Sequence, residues 1–511
     1  WGTPVPIPNT EVKPLNADNS VCEDRKLPRI FFVFKRTSSY VLFFVIIILL
    51  GDEIMQKEEF EKYLTLAMST GADFAELYYE ELKEKNYRLT DSKLDSLDSN
   101  NSIGLGIRIV QGKESYYTST NLLTDDNITN TIQNLLKNIS TRNGEKVLLT
   151  DLVDKTIKVS IPHEEYSSQK KKELLYKIDE CARAYSTKIN QVSSNIIEYD
   201  RVFIVANSNG LYRKGNKILT RIVATIYAEE EERKEQEFVS IGAGKGYEIL
   251  EEFSVEEMIQ KTAQTAVEKL KSIDFKGGEL PIVMAPGFGA VIFHEACGHG
   301  LEATSVAPHL SVFSDDLGEK IASEKVTLID DGTIQNAWGS SMIDDEGRET
   351  QKNILIENGI LKKYLVDEFN SKQMNMNSNG CGRRQDYRFA TTSRMSNTYL
   401  APGTDKIEDM IKSISLGVYC EKMSGGSVNP ATGDFNFAVD TARLIENGEV
   451  KHLLKGITLI GNSKEILKNV EMVSDDLEIS CGYCGSKSGM IPVTVGQPTI
   501  KISKILVGGK E

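Results

Sequence analysis

His294-Glu295-Ala296-Cys297-Gly298-His299 is the stretch from which the rest of the chain is best read. Two of the five histidines in the protein bracket one glutamate here. A hydrolytic zinc site needs neutral imidazoles to hold the ion and a carboxylate to take a proton from its water, and all three groups are present. The residues just before it, from Phe288 to Phe293, are mostly small or apolar. They predict a buried helix that carries the site into a shielded place. In the H-E-x-x-H zinc helix the histidines lie at i and i+4 on one face. Here they lie at i and i+5, which on a regular helix sets the side chains roughly 140° apart. For both to grip one ion, the helix must loosen, kink or end between them. Gly298 permits that, and a π-type bulge is another route. The spacing therefore predicts a distorted helix around 296–300. The competing reading is a chance cluster, or core histidines with ordinary hydrogen-bond partners.

A catalytic zinc site takes three protein ligands and leaves a fourth position open. The residues offer three candidates for the third ligand. Cys297 sits between the histidines but points away from their shared target. Glu302, three residues past His299, is placed either to be a ligand or to orient one. Cys484 is distant, and its glycine-rich setting in Cys481-Gly482-Tyr483-Cys484-Gly485 leaves a thiolate reachable. Cys481-x-x-Cys484 also reads as a redox pair, although no thioredoxin-like strand-to-helix setting surrounds it. A four-ligand structural zinc built from both cysteines and both histidines would leave Glu295 without a role.

At 511 residues the chain is long enough for two or more domains with a sizeable core. The net charge of −14 comes from well-mixed acidic and basic residues, which excludes a general nucleic-acid binder. Seven cysteines, an odd number spread widely, do not form a disulfide framework and fit a reduced, cytoplasmic setting. The first 54 residues read as an extension foreign to the rest. The apolar run 40–50, preceded by Lys35-Arg36, resembles a signal-peptide core but is short for a spanning helix. Met55-Gln56-Lys57 opens an amphipathic helix and reads as the native start, with a membrane anchor upstream as the alternative.

Residues 55–275 predict an α+β domain. Helices are expected over 57–69, 126–137 and 169–186, and strands over 78–90, 102–111, 196–207 and 218–229. Ser254-Val255-Glu256-Glu257 is a capping box that opens a further helix. Phe275-Lys276-Gly277-Gly278 is the expected junction. Residues 276–511 predict a β-rich domain with the histidine helix packed on a sheet. It begins with a buried strand over 280–285 and ends in one over 499–506. Two similar hairpins turn at Asn358-Gly359 and Asn447-Gly448, a pairing that favours type I′ turns.

His294 to His299, followed by Gly300-Leu301-Glu302, resembles the H-E-x-x-x-H signature of the TldD side of the TldD/PmbA (TldD/TldE) metalloproteases. The likeness extends through Gly71-Ala72-Asp73-Phe74, Ile343-Asp344-Asp345-Glu346-Gly347, Gly382-Arg383-Arg384 and Arg394-Met395-Ser396-Asn397-Thr398-Tyr399. It continues in Lys455-Gly456-Ile457-Thr458 and ends in Val495-Gly496-Gln497-Pro498, so it runs from about residue 55 to the C-terminus. Met490-Ile491 departs from the glycine and apolar residue expected before Pro492. The resemblance implies a zinc ion held by His294, His299 and Cys484, with Glu295 as general base and then acid, and Cys481 as an extra thiol. It implies unfolded or flexible polypeptide substrates: leader regions of ribosomal peptide precursors and small unstable proteins. It also implies a PmbA/TldE-like partner subunit, with a homodimer as the alternative. Arg383, Arg384 and Arg394 are the basic candidates for stabilising an oxyanion. Structural pairing with carboxylates is the other reading for each.

Overall fold

Alternation with a period of two builds the first half of the molecule. The computed structural model describes residues 55–140 and 143–509. Strands Phe74–Thr90 and Lys93–Gln111 form one long antiparallel hairpin. The first of them also pairs with Ile189–Asn207, which pairs with Tyr212–Glu230, and that strand pairs with Arg233–Ala243. Glu114–Thr120 and Val153–Asp154 complete a seven-stranded sheet. Helices Ser168–Tyr185 and Val255–Lys269 contact one another and the sheet. Leu175, Ile178, Ile259 and Ala263 of the helices share a core with Val192, Ile196, Ala224 and Ile226 of the strands. Ser254 caps the second helix by accepting a hydrogen bond from the Glu257 amide at 3.2 Å, as the capping box requires.

The strands are longer than the sequence predicts. The expected 102–111 begins at Lys93, 78–90 begins at Phe74, 196–207 begins at Ile189, and 218–229 spans Tyr212–Glu230. The stretch from Lys93 to Asn101 is polar and largely exposed, so it carries no alternation. It pairs because the register set by the apolar part continues along the backbone from Lys83↔Asn101 to Arg88↔Ser96, then slips by one residue at a bulge before Leu89↔Leu94 and Thr90↔Lys93.

The second half contains two larger sheets. In one, Leu416–Val428, Gly278–Met284, Ile500–Gly508, Thr458–Asn462 and Asp434–Glu446 pair in that order. The last strand pairs back with the first, so these five close into a ring. The other sheet is open. Its order is Ile360–Leu361, Lys352–Glu357, Leu328–Asp331, Asn397–Leu400, Gly489–Gln497 and Glu478–Ser486. The histidine helix, Val291–Ala296, contacts Leu416–Val428 and Asp434–Glu446 of the ring, and Asn397–Leu400 and Gly489–Gln497 of the open sheet. Ile292, Phe293 and Ala296 are buried in the core that results.

Both Asn-Gly turns have positive φ at each central residue: 49° and 82° at Asn358-Gly359, and 53° and 76° at Asn447-Gly448. That is the type I′ signature. The two hairpins belong to different sheets, one open and one closed.

Lys57–Glu511 is a single compact unit. Buried ion pairs fasten its first sheet to the second half. Arg384 meets Glu76 at 2.5 Å, Arg108 meets Glu346 at 3.1 Å, and Arg201 meets Asp345. All six side chains are almost fully buried, and Arg384 also lies 4.2 Å from the Tyr78 ring centroid. The apolar run 40–50 falls outside the described residues. Among those described, no helix is long and apolar enough to cross a membrane.

Candidate metal centre

The turn leading into the histidine helix is held from the far end of the chain. Gly287 adopts φ 82°, and its amide donates to the Gln497 carbonyl at 3.0 Å. The Gln497 side-chain amide donates to the Ala285 carbonyl at 3.1 Å. One turn of 3₁₀ helix, Phe288–Ala290, then passes into Val291–Ala296.

The helix ends where the spacing demands. Cys297 leaves helical geometry at φ −122° and ψ −53°, and the chain continues as a 3₁₀ turn, Gly298–Leu301. The break replaces a π-type bulge and falls on Cys297 rather than on the glycine. Gly298 serves a different need: a Cβ there would meet the Met395 sulfur at 2.0 Å.

This break turns both imidazoles toward one point. Ligand atoms of His294, His299 and Cys484 all lie within 4.8 Å of one another. The two rings stand at 84° with centroids 5.2 Å apart. The Cys484 sulfur is 3.2 Å from His299 Nε2. It reaches the histidines from the strand Glu478–Ser486, 185 residues downstream of His299. Glu295 Oε2 lies 3.7 Å from His299 Nε2, and its side chain remains 21% exposed. Of the two nearer ligand candidates, Glu302 faces the opposite ring nitrogen, with Oε2 3.1 Å from His299 Nδ1. Cys297 packs into the apolar core, where burial pushes its thiol pKa up.

Two observations bear on whether a metal fits. His294 is buried, and among the described residues neither of its ring nitrogens has a hydrogen-bond partner. A buried polar atom without a partner costs about 1–3 kcal/mol, and a cation between the three groups would remove that cost. The second observation is electrostatic. Burial alone raises a thiol's pKa, but attraction to the His294 and His299 imidazoles holds Cys484 well below the ordinary range. Burial likewise opposes charge on His299, yet Glu302 and then Cys484 raise its pKa well above the usual imidazole value. A thiolate and two imidazoles form a donor set that suits zinc.

The arginines are committed to protein groups. Arg383 donates to the carbonyls of Met395 at 2.6 Å and Pro492 at 2.7 Å. Arg384 holds Glu76. Arg394 donates to the Cys484 carbonyl at 2.7 Å, to Ser488 Oγ at 2.9 Å and to the Gly489 carbonyl at 3.0 Å. Only Arg384 follows the reading of direct pairing with a carboxylate at hydrogen-bond distance. The other two hold main-chain carbonyls, and all three side chains are buried.

Cys481 and Cys484 do not face one another. Residues three apart on a strand point to opposite faces. Cys481 packs beside Trp338 and Leu219, while Cys484 packs with Ile491 and Val493. The described cysteines are all free. Several residues that support the site carry no local sequence signal for that task. Gln497 braces the entry turn, Met395 fills the space beside Gly298, and Asp330 accepts from the Ser396 amide and hydroxyl, both at 2.8 Å.

Comparison with known proteins assigns most of the chain to one family. Residues 277–509 match the PmbA/TldA metallopeptidase C-terminal domain, residues 161–271 the central domain and residues 75–139 domain 1. The chain belongs to the PmbA/TldD metallopeptidase family. It is 32% identical over 448 residues to a metalloprotease TldD homolog of Buchnera aphidicola, covering 86% of this chain and 93% of that protein. It is 27% identical over 455 residues to a zinc metalloprotease TldD homolog of Saccharolobus solfataricus, covering 88% and 99%. Its fold resembles the crystal structure of TldE from Thermococcus kodakarensis, with a TM-score of 0.70 and 21% identity over 89% of this chain and 99% of the other. Family membership thus accounts for the fold and for a metallopeptidase scaffold.

Proposed function

We propose that this chain is a zinc-dependent peptidase in which His294, His299 and Cys484 hold the ion and Glu295 moves the proton. The observation that carries this reading is the convergence of three ligand atoms within 4.8 Å around a buried histidine that lacks any other partner. When bound, zinc supplies Lewis acidity and lowers the pKa of a coordinated water toward neutrality. Glu295 is the partly exposed carboxylate at the centre, 3.7 Å from His299. It takes the proton from the attacking water and returns it to the leaving amine. Glu302 fixes His299 by accepting from Nδ1, which leaves Nε2 for the metal.

The substrates are unfolded or flexible polypeptides, including leader regions of ribosomal peptide precursors and small unstable proteins, held extended against strands. The chain acts in the cytoplasm, paired with a homologous TldE-like subunit or with a second copy of itself. Residues 276–511 carry the catalytic centre, and residues 55–275 form the α+β domain fastened to it. The family match and the metalloprotease names of the relatives support this assignment.

The test measures metal content and cleavage together. Purified wild type should hold about one zinc per chain and cleave an unstructured peptide. Cleavage should stop on chelation and return with zinc. Glu295→Gln should keep the metal and lose about 10²–10⁴-fold in kcat, while Cys484→Ser should lose the metal. Metal-free wild type that stays inactive after zinc is added overturns the assignment.

A further inference from the structure

Arg394 occupies a position that the reaction described above does not use. It is fully buried, at 0% exposure. Its Nη2 donates to the main-chain carbonyl of Cys484, the distant ligand, at 2.7 Å. Its Nη1 donates to Ser488 Oγ at 2.9 Å and to the Gly489 carbonyl at 3.0 Å. One planar fork therefore grips the ligand strand and the turn that follows it. The remaining nitrogen, Nε, faces Glu302 Oε1 at 3.9 Å, and the other oxygen of that carboxylate holds His299 Nδ1 at 3.1 Å. Arg394 Nε and Glu302 Oε1 are both buried without a hydrogen-bond partner, so each is the nearest available answer to the other's unmet need.

We infer that Arg394 and Glu302 form one positioning device that couples the distant cysteine to the histidine turn, so that the metal's two anchoring regions are held as a unit. This inference rests on the zinc reading given above and extends it to residues that do not touch the ion. Local sequence does not bring Cys484 to His299; the open sheet does, through a strand at its edge. Within the sheet that strand pairs with Gly489–Gln497 alone, and a further brace, Trp338 Nε1 on the Gly482 carbonyl, does not reach the ligand. The arginine fork tethers the ligand itself, and Glu302 connects that tether to the imidazole. Charge is balanced as well. A divalent cation together with Arg394 offsets the Cys484 thiolate and the carboxylates of Glu295 and Glu302, which favours loading the centre despite its burial.

Lysine keeps the charge of Arg394 but cannot reproduce the fork. Zinc affinity of the full-length protein, measured by competition with a chromophoric chelator, should fall about 10–100-fold in Arg394→Lys and in Glu302→Gln. The double variant should be no weaker than the weaker single one, because the two residues act through one path. Raising free zinc should restore kcat in Arg394→Lys with KM for the peptide unchanged, which a general packing defect would not do. Wild-type zinc affinity in folded Arg394→Lys overturns the inference, as do fully additive losses in the double variant. Should Arg394→Lys fail to fold by circular dichroism, Ser488→Ala removes one anchor of the fork and should still weaken zinc a few-fold. Unchanged affinity in both Ser488→Ala and Glu302→Gln then overturns it. Wild-type protein that binds no zinc at all counts against the peptidase reading itself, which separates the two failures.

Discussion

His163 and His294 are equally hidden from water, at 1% and 2% exposure, yet their surroundings are opposite. His163 has Asp200 Oδ2 at 2.7 Å on Nδ1 and Thr220 Oγ1 at 2.8 Å on Nε2. His294 has nothing on either nitrogen. The first is a core histidine whose burial is balanced by the fold. The second has no hydrogen-bond partner among the described residues to balance its burial. Burial therefore does not separate a structural histidine from a ligand; the tally of partners does. The same distinction divides the larger polar clusters. Arg384, Glu76, Arg108 and Glu346, between the two halves, each have an ion-pair partner, although Arg384 Nε and Glu76 Oε2 lack a hydrogen-bond partner, so this cluster stands between the two histidines.

The comparison breaks most visibly at the interface. Arg384→Met leaves Glu76 buried and alone and should cost about 3–5 kcal/mol of stability, read by denaturant unfolding, with zinc binding intact in the fraction that stays folded. A loss below about 1 kcal/mol would put this pair with ordinary surface ion pairs. The two histidines themselves give the next largest effect. Saturating zinc should stabilise wild type by about 2.7 kcal/mol once free zinc exceeds its Kd by about 100-fold. His294→Ala should abolish that gain. His163→Ala should keep the gain but cost about 1–3 kcal/mol in both states. If zinc stabilises His294→Ala as strongly as wild type, the distinction between the two histidines fails. The cysteines sharpen the same point on one strand: Cys484→Ser should lose zinc, and Cys481→Ser should retain it together with peptidase activity.

How much of this is legible in the sequence depends on how far apart the cooperating residues lie. The break between His294 and His299 follows from helical arithmetic, and it occurs at Cys297. The Asn-Gly turns follow from backbone preference alone, and both adopt the expected φ values. Cys484 is different. Local reading leaves it level with Cys297 and Glu302, and only the family resemblance selects it, because the edge pairing Cys484↔Ile491 and the path back to His299 are set by the open sheet. The contacts of the arginines are hidden for a related reason. A basic residue near a motif looks available to substrate, and nothing in the chain announces that its partners are carbonyls of Met395, Pro492, Cys484 and Gly489. Gly298 shows the same limit at short range, since the sulfur that excludes a side chain there belongs to Met395.

Acid provides the finest probe of the buried ion pairs. Burial alone would raise the Asp345 carboxyl, but Arg201 and then Lys217 beside it pull its pKa down from 3.8 to about 2. The folded state thus holds the proton less tightly than the unfolded chain does. The resulting stabilisation is complete above about pH 4 and is lost as pH falls through 2. A shift of this size corresponds to about 2 kcal/mol. Asp345→Asn has no carboxylate to protonate, so its stability deficit relative to wild type should shrink by about that amount between pH 5 and pH 2, followed by urea unfolding at each pH. A deficit that stays constant across the window would mean that Arg201 and Lys217 do not hold this carboxylate ionised. The link between the first sheet and the second half would then rest on Arg384 with Glu76 and Arg108 with Glu346.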